Sequence, residues 1–170
     1  IHAYYIVGED PAQSDPNLPE IRETLSKIDF VVVQDIFRNK TCEYADVVLP
    51  ATAWGEHEGV YTSCDRRFQR VHKLLEPQRG CKKDWEIQCL VAAAMGYPMH
   101  YDNTEQIWNE MIALAPKFAG ATYEKMEMNK GIQWPCYSTD PADKGTLYLH
   151  KGGAFATADG KGHFQFFPYT

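Results

Sequence analysis

Ala3-Tyr4-Tyr5-Ile6-Val7-Gly8-Glu9-Asp10-Pro11 opens the chain, and Asp29-Phe30-Val31-Val32-Val33-Gln34-Asp35 repeats its form. Each is a run of β-branched and aromatic residues that ends in turn-forming or acidic residues, the mark of a strand running into a loop. The second run is almost continuously apolar instead of alternating, which predicts a parallel strand with both faces covered. Asp46-Val47-Val48-Leu49-Pro50 is a third short strand of the same type. Between the first two, Asn17-Leu18-Pro19-Glu20 has the spacing of a helix start, with Asn17 as cap and Glu20 reaching back to it. Leu18, Ile21, Leu25 and Ile28 then fall on one helical face. Strand, helix, strand, turn and strand within the first fifty residues predict an α/β fold, a partial doubly wound (Rossmann-like) parallel sheet.

Beyond Pro50 the pattern changes to that of an adjoining α+β region. Val60–Ser63 and Phe68–His72 read as antiparallel strands around the turn Cys64–Arg67. A helix starts at Asp84, a good N-cap, with Ile87, Leu90, Val91 and Ala94 inward and Gly96 and Pro98 as stops. Another begins near Asn103–Gln106, buries Ile107, Trp108, Met111 and Ile112, and ends at Pro116; a shorter one covers Thr122–Met128. The tail predicts a hairpin with Asp159-Gly160 between Phe155 and Phe164. The segments divide as 1–53, 54–145 and 146–170.

Composition bounds the function. The chain has 170 residues, 44% apolar and 13% aromatic, which argues against disorder. A formal net charge of −6 argues against nucleic acid as a partner, because its phosphates would be repelled. No apolar run reaches the roughly 18 residues of a membrane span. No secretory signal is legible, and a chain that opens without Met, inside a strand, reads as part of something longer. The five cysteines, Cys42, Cys64, Cys81, Cys89 and Cys136, include no C-x-x-C pair, so free thiols in a reducing, cytoplasmic setting are expected and no cluster or zinc site. Asp65-Arg66-Arg67 with Arg70 reads either as a solvated strand edge or as an anion or partner contact.

Three places can carry chemistry. Gly8-Glu9-Asp10-Pro11 lies where the first strand ends, the position at which open α/β sheets bind ligands. Gly8 permits a sharp turn, Asp10 can accept from a guanine or a sugar, and Ser14 can donate to a phosphate or sugar; ordinary turn chemistry is the competing reading. Gln34-Asp35 ends the second strand, where an acidic residue commonly takes ribose hydroxyls or merely caps a turn. Trp54-Gly55-Glu56-His57-Glu58-Gly59 suggests a metalloprotease motif, but no second histidine follows four residues on. Residue chemistry thus leads to a nucleotide-binding half-domain and names no reaction.

Ile6–Pro11, Val33–Phe37 and Ala45–Pro50, followed by Trp54, Glu56, Gly59, Arg67 and Gln69, resemble the molybdopterin oxidoreductase family. Trp54–Val60, Gly96–Tyr101, Gly120–Met126 and Ile132–Cys136 are similar to formate dehydrogenases of the formate-hydrogenlyase type. The resemblance implies a bis(molybdopterin guanine dinucleotide) cofactor with Mo or W, a 4Fe-4S cluster held by an upstream segment, and formate as substrate. It further implies the remainder of the same subunit and iron–sulfur or hydrogenase subunits as partners. Carried over by position, Asp10, Ser14, Gln34, Asp35, Ile36, Ala51 and Asp84 are expected to contact one dinucleotide arm. At Ala51 a hydroxyl residue is common in the subgroup, so only a backbone contact is expected there. The metal ligand and catalytic residues of the family lie upstream, so none is expected here. Nitrate, arsenic-oxyanion or formylmethanofuran chemistry, or a non-catalytic iron–sulfur scaffold, are the competing readings.

Overall fold

A computed structural model describes residues 1–168. The chain forms two compact units, one of residues 1–60 and 70–108 and the other of residues 61–69 and 109–170.

The first unit is built on a parallel sheet in the order β1 (Ala3–Val7), β2 (Phe30–Asp35), β3 (Val47–Pro50). The register runs Tyr4↔Val31, Ile6↔Val33 and Val7↔Gln34 on one side and Val33↔Val48 and Asp35↔Pro50 on the other. One face is packed: Ile6, Val31 and Val33 meet Ala12 of the short α1 (Pro11–Ser14), Leu25 of α2 (Leu18–Leu25) and Cys42 of the 3-10 turn Lys40–Tyr44. Ile21 and Ile28 close the cluster as the helical periodicity predicts. Burying such side chains stabilises by about 1.5–3 kcal/mol each, which is enough to fix α2 against the sheet.

The expectation that both faces are covered is not met among the described residues. Period-two alternation puts Tyr5, Val32, Gln34 and Leu49 on the opposite face. There α3 (Asp84–Ala94) covers Gln34, while Tyr5, Val7 and Val47 remain exposed. Asn17 also departs from its expected role. It adopts left-handed backbone with φ 56°, its side-chain amide donates to the Glu20 carboxylate, and its side chain accepts no helix N–H. Pro19 in the first turn removes one donor that a cap would have served. In α3, Asp84 is the first helical residue, after Lys83 as cap; Ile87 is buried, whereas Leu90 is 55% exposed. Gly96 ends that helix with φ +90°, and Tyr97 N–H returns to the Ala92 carbonyl at 2.9 Å, the left-handed stop read from the sequence.

The second unit contains the tip of the hairpin β4 (Gly59–Thr62) to β5 (Arg67–Val71), residues 109–114 of α4 (Thr104–Leu114), α5 (Tyr123–Asn129) and β6 (Ile132–Gln133). β6 pairs antiparallel with β5 through Arg67↔Gln133 and Phe68↔Ile132. Phe68, Phe118 and Trp134 stack edge to face, with centroids 4.9 and 5.4 Å apart. Thr122 caps α5 by accepting the Lys125 N–H at 3.2 Å. The arginine cluster is structural here: the Arg66 guanidinium donates to the carbonyls of Trp134, Thr146 and Leu147, and Arg67 pairs with Asp65 at 2.9 Å. The predicted tail hairpin is absent. The turn at Asp159-Gly160 forms, with Gly160 N–H donating to the Thr157 carbonyl at 3.1 Å. No ladder follows it among the described residues, where Phe164, Phe166 and Phe167 are exposed and have no sheet face to pack on.

Candidate functional site

Parallel topology brings the carboxyl ends of β1, β2 and β3 to one edge, and every residue singled out as a ligand contact lies along it or at its margin. Gly8 makes the exit turn from β1 with φ +64° and donates to the Gln34 carbonyl at 2.9 Å. A Cβ built there would meet nothing within 4 Å, so backbone and edge stay open.

Asp10 is held on three sides. Its carboxylate accepts from the Thr41 N–H (2.9 Å), the Thr41 hydroxyl (2.6 Å) and the Lys40 N–H (3.3 Å). Thr41 is fully buried, and its hydroxyl oxygen accepts from Ala12 N–H at 3.1 Å. A chain of bonds thus ties α1 to the 40–44 turn. Burial alone would push the Asp10 carboxyl up; the hydroxyl and amide of Thr41, the Lys40 amide and nearby Arg22 outweigh it and hold the group below its ordinary value. Ser14 is exposed, and its hydroxyl donates to the Asp10 carbonyl at 3.0 Å.

Asp35 accepts from the Phe37 N–H and from Asn39 Nδ2, both at 2.9 Å. Asn39 also donates to the Glu9 carbonyl at 3.3 Å, joining the β1 and β2 exits. A carboxylate offers about four lone-pair sites, so Asp35 keeps roughly two for another donor, against about one for Asp10. Ile36 and Phe37 form an exposed apolar lip beside them.

Gln34 lies on the opposite face and is 0% exposed. Its carbonyl oxygen accepts from Tyr5 Oη, and its Nε2 donates to Asp84 Oδ1 at 2.6 Å, so both ends of the amide are committed. It therefore orients Asp84 at the start of α3. The Tyr5 phenol is pushed up, first by burial and then by the Asp84 charge. Ala51 is buried; its N–H donates to the Asp35 carbonyl at 3.0 Å, and it bridges Lys82 in parallel. Elsewhere in this unit, His57 Nδ1 lies 3.0 Å from the Thr52 hydroxyl, and no metal-ligating group of His, Cys, Asp or Glu forms among the described residues.

Asn39 and Thr41 went unremarked in the sequence, although Asn39 caps the 3-10 turn by accepting the Cys42 N–H. Asn followed by a hydroxyl residue in the turn between two strands is the signal that points to them.

Acidic side chains with spare acceptor capacity, an open glycine turn and an exposed apolar lip thus lie together on one edge of a parallel α/β sheet. The molybdopterin oxidoreductase family model matches residues 1–94, and the chain belongs to that family, whose members carry a molybdopterin cofactor. Formate dehydrogenase H of Escherichia coli (strain K12) is 52% identical over 96% of the chain. The F420-dependent formate dehydrogenase subunit alpha of Methanocaldococcus jannaschii is 40% identical over 93% of it. The chain spans 23% of the length of each of these relatives. The solved acetylene hydratase from Pelobacter acetylenicus superposes with a TM-score of 0.64 at 21% identity, over 94% of this chain and 21% of that one, and shares the fold.

Proposed function

We propose that this chain is part of the catalytic subunit of a cytoplasmic formate dehydrogenase, and that it holds one guanine dinucleotide arm of a bis(molybdopterin guanine dinucleotide) cofactor bearing Mo or W. The observation that carries the reading is 52% identity to formate dehydrogenase H across nearly the whole chain. The edge chemistry agrees with it. A guanine presents imino and amino donors and a ribose presents hydroxyls, and Asp35 and Asp84 are acceptors with capacity to spare. Asp10, Gln34 and Asn39 shape that edge from behind, and Phe37 offers a ring to the base.

When bound, the cofactor supplies the redox chemistry on formate. The residues of this chain bind and orient: Asp35 and Asp84 take the donors of the nucleotide, Ile36 and Ala51 lend backbone, and Ser14 lies at the margin. None of them moves a proton of the substrate. A 4Fe-4S cluster would be held by residues outside this chain, and iron–sulfur or hydrogenase subunits would be its partners.

The test uses the full-length protein purified without oxygen. Formate-dependent reduction of a viologen dye, with about one Mo or W per subunit, is the expected result. Metal present without formate turnover would remove formate as the substrate. Clusters present without either metal would favour a non-catalytic scaffold.

A further inference from the structure

Lys125 and Cys136 form a buried amine–thiol pair that the edge site does not use. The Lys125 side chain is 2% exposed and Cys136 is 1% exposed, in a protein where buried lysines are rare. Nζ lies 3.4 Å from Cys136 Sγ, 2.6 Å from the Ser138 carbonyl and 3.3 Å from Asp143 Oδ2. The cysteine is pinned as firmly. Its N–H donates to the Lys117 carbonyl at 2.7 Å, and its carbonyl accepts from Gly120 N–H at 2.8 Å. Asp143 is itself fixed by Gly145 N–H at 2.9 Å, and the carbonyls of Lys125 and Pro141 both bind Asn129 Nδ2. Neither nitrogen nor sulfur can move far from the other while the unit is folded.

From this geometry we infer that Lys125 and Cys136 are the two halves of an oxidation-sensitive cross-link, in which one oxygen atom from dioxygen bridges Nζ and Sγ. The separation has to close only slightly to accommodate that atom. The ammonium and the thiol react with one dioxygen to give the N–O–S bridge, one water and one released proton. Two N–H bonds, one of them as the proton the ammonium sheds, break together with the S–H and O–O bonds, and an N–O bond, an O–S bond and the two O–H bonds of water form. Nitrogen and sulfur each give up two electrons, and dioxygen takes all four, one of its atoms leaving as water. Asp143 receives the ammonium proton; its side chain is 35% exposed and passes that proton to solvent. Burial shields the sulfur from bulky disulfides and pushes the thiol pKa up, which disfavours thiolate exchange and leaves a small oxidant as the agent that reaches it. The product ties α5 to the loop after β6 across eleven positions of sequence.

The test is peptide mapping of the full-length protein, purified under nitrogen and then divided between nitrogen and air-saturated buffer. Each half is unfolded, alkylated and digested. In the aerated half the Lys125 and Cys136 peptides are expected as one species, heavier than their sum by one oxygen and lighter by two hydrogens. Free Cys136 falls several-fold, and an excess of dithiothreitol restores both peptides. Lys125→Arg and Cys136→Ala each abolish the species, and amide exchange of the second unit under nitrogen shows whether each variant is folded. Cys136 recovered after aeration as a free thiol, a disulfide or a sulfinic acid, with Lys125 unmodified, would overturn the inference. So would an identical cross-link in the nitrogen-held half.

Discussion

Replacing Asp10 with Ala probes how the ligand edge is built. Three bonds are lost, and the Thr41 N–H and hydroxyl, inside a fully buried residue, lose their acceptor. Bonds to a charged group contribute about 1.5–3 kcal/mol each, but Asp10 is only half-buried and water can replace part of them. The net cost is then about 2–4 kcal/mol, felt locally, which raises the opening equilibrium of the 40–44 turn by roughly 30- to 700-fold. Hydrogen exchange of the full-length protein, read on peptides spanning residues 10–16 and 38–46, measures it directly. Asp10→Asn keeps one acceptor oxygen and should lose markedly less. The sign with pH follows from the depressed carboxyl: its stabilisation is complete above the ordinary value of 3.8 and disappears as pH falls through the lower folded value. Wild type and Asp10→Asn should therefore converge only in that acidic window. Unchanged exchange at 38–46 in Asp10→Ala would refute the assignment of Asp10 as the clasp between the β1 exit and this turn.

Other outcomes follow from single contacts. Gln34→Glu sets a second carboxylate against Asp84, where the amide now donates at 2.6 Å, so the start of α3 should exchange faster near neutral pH and recover once the pair shares a proton. Equal exchange at both pH values would count against Gln34 as the anchor of Asp84. Gly120→Ala puts a Cβ 2.1 Å from the Ser138 carbonyl oxygen, whereas a Cβ at Gly55 meets nothing within 4 Å. Soluble yield should collapse for the first substitution and hold for Gly55→Ala; equal yields would contradict the packing described. Phe68→Ala removes the buried end of the Phe68–Phe118–Trp134 stack and should cost about 3–5 kcal/mol. Protease resistance of the second unit checks it, and retained resistance would argue against that stack as its core.

The parallel sheet was legible because its strands carry the information themselves: Ile6, Val31 and Val33 are apolar, β-branched and bounded by turn residues. Asp10, Asp35 and Asp84 were legible by position, as acids at strand or helix ends. Their partners were not. Tyr5, Asn39 and Thr41 act across tens of residues, and no periodicity announces a hydroxyl that meets a carboxylate 31 positions away. Continuous apolar β2 suggested cover on both faces, yet sequence pattern cannot say whether the covering element belongs to the same stretch of chain. The tail misled for a related reason. Asp159-Gly160 specifies a turn, but a hairpin also needs a face on which Phe164 and its neighbours can be buried. Asn17 illustrates competition between local rules: it takes left-handed backbone without a side-chain cap bond, and its amide N–H goes to Glu20.

A structure of the full-length protein with its pterin cofactor loaded tests the central claim most directly. The nucleotide end of one arm should lie within hydrogen-bond reach of the Asp35 and Asp84 carboxylates, with its base beside Phe37 and its path crossing the Gly8 turn. Both nucleotide ends lodged away from the carboxyl edge of β1 and β2 would contradict it.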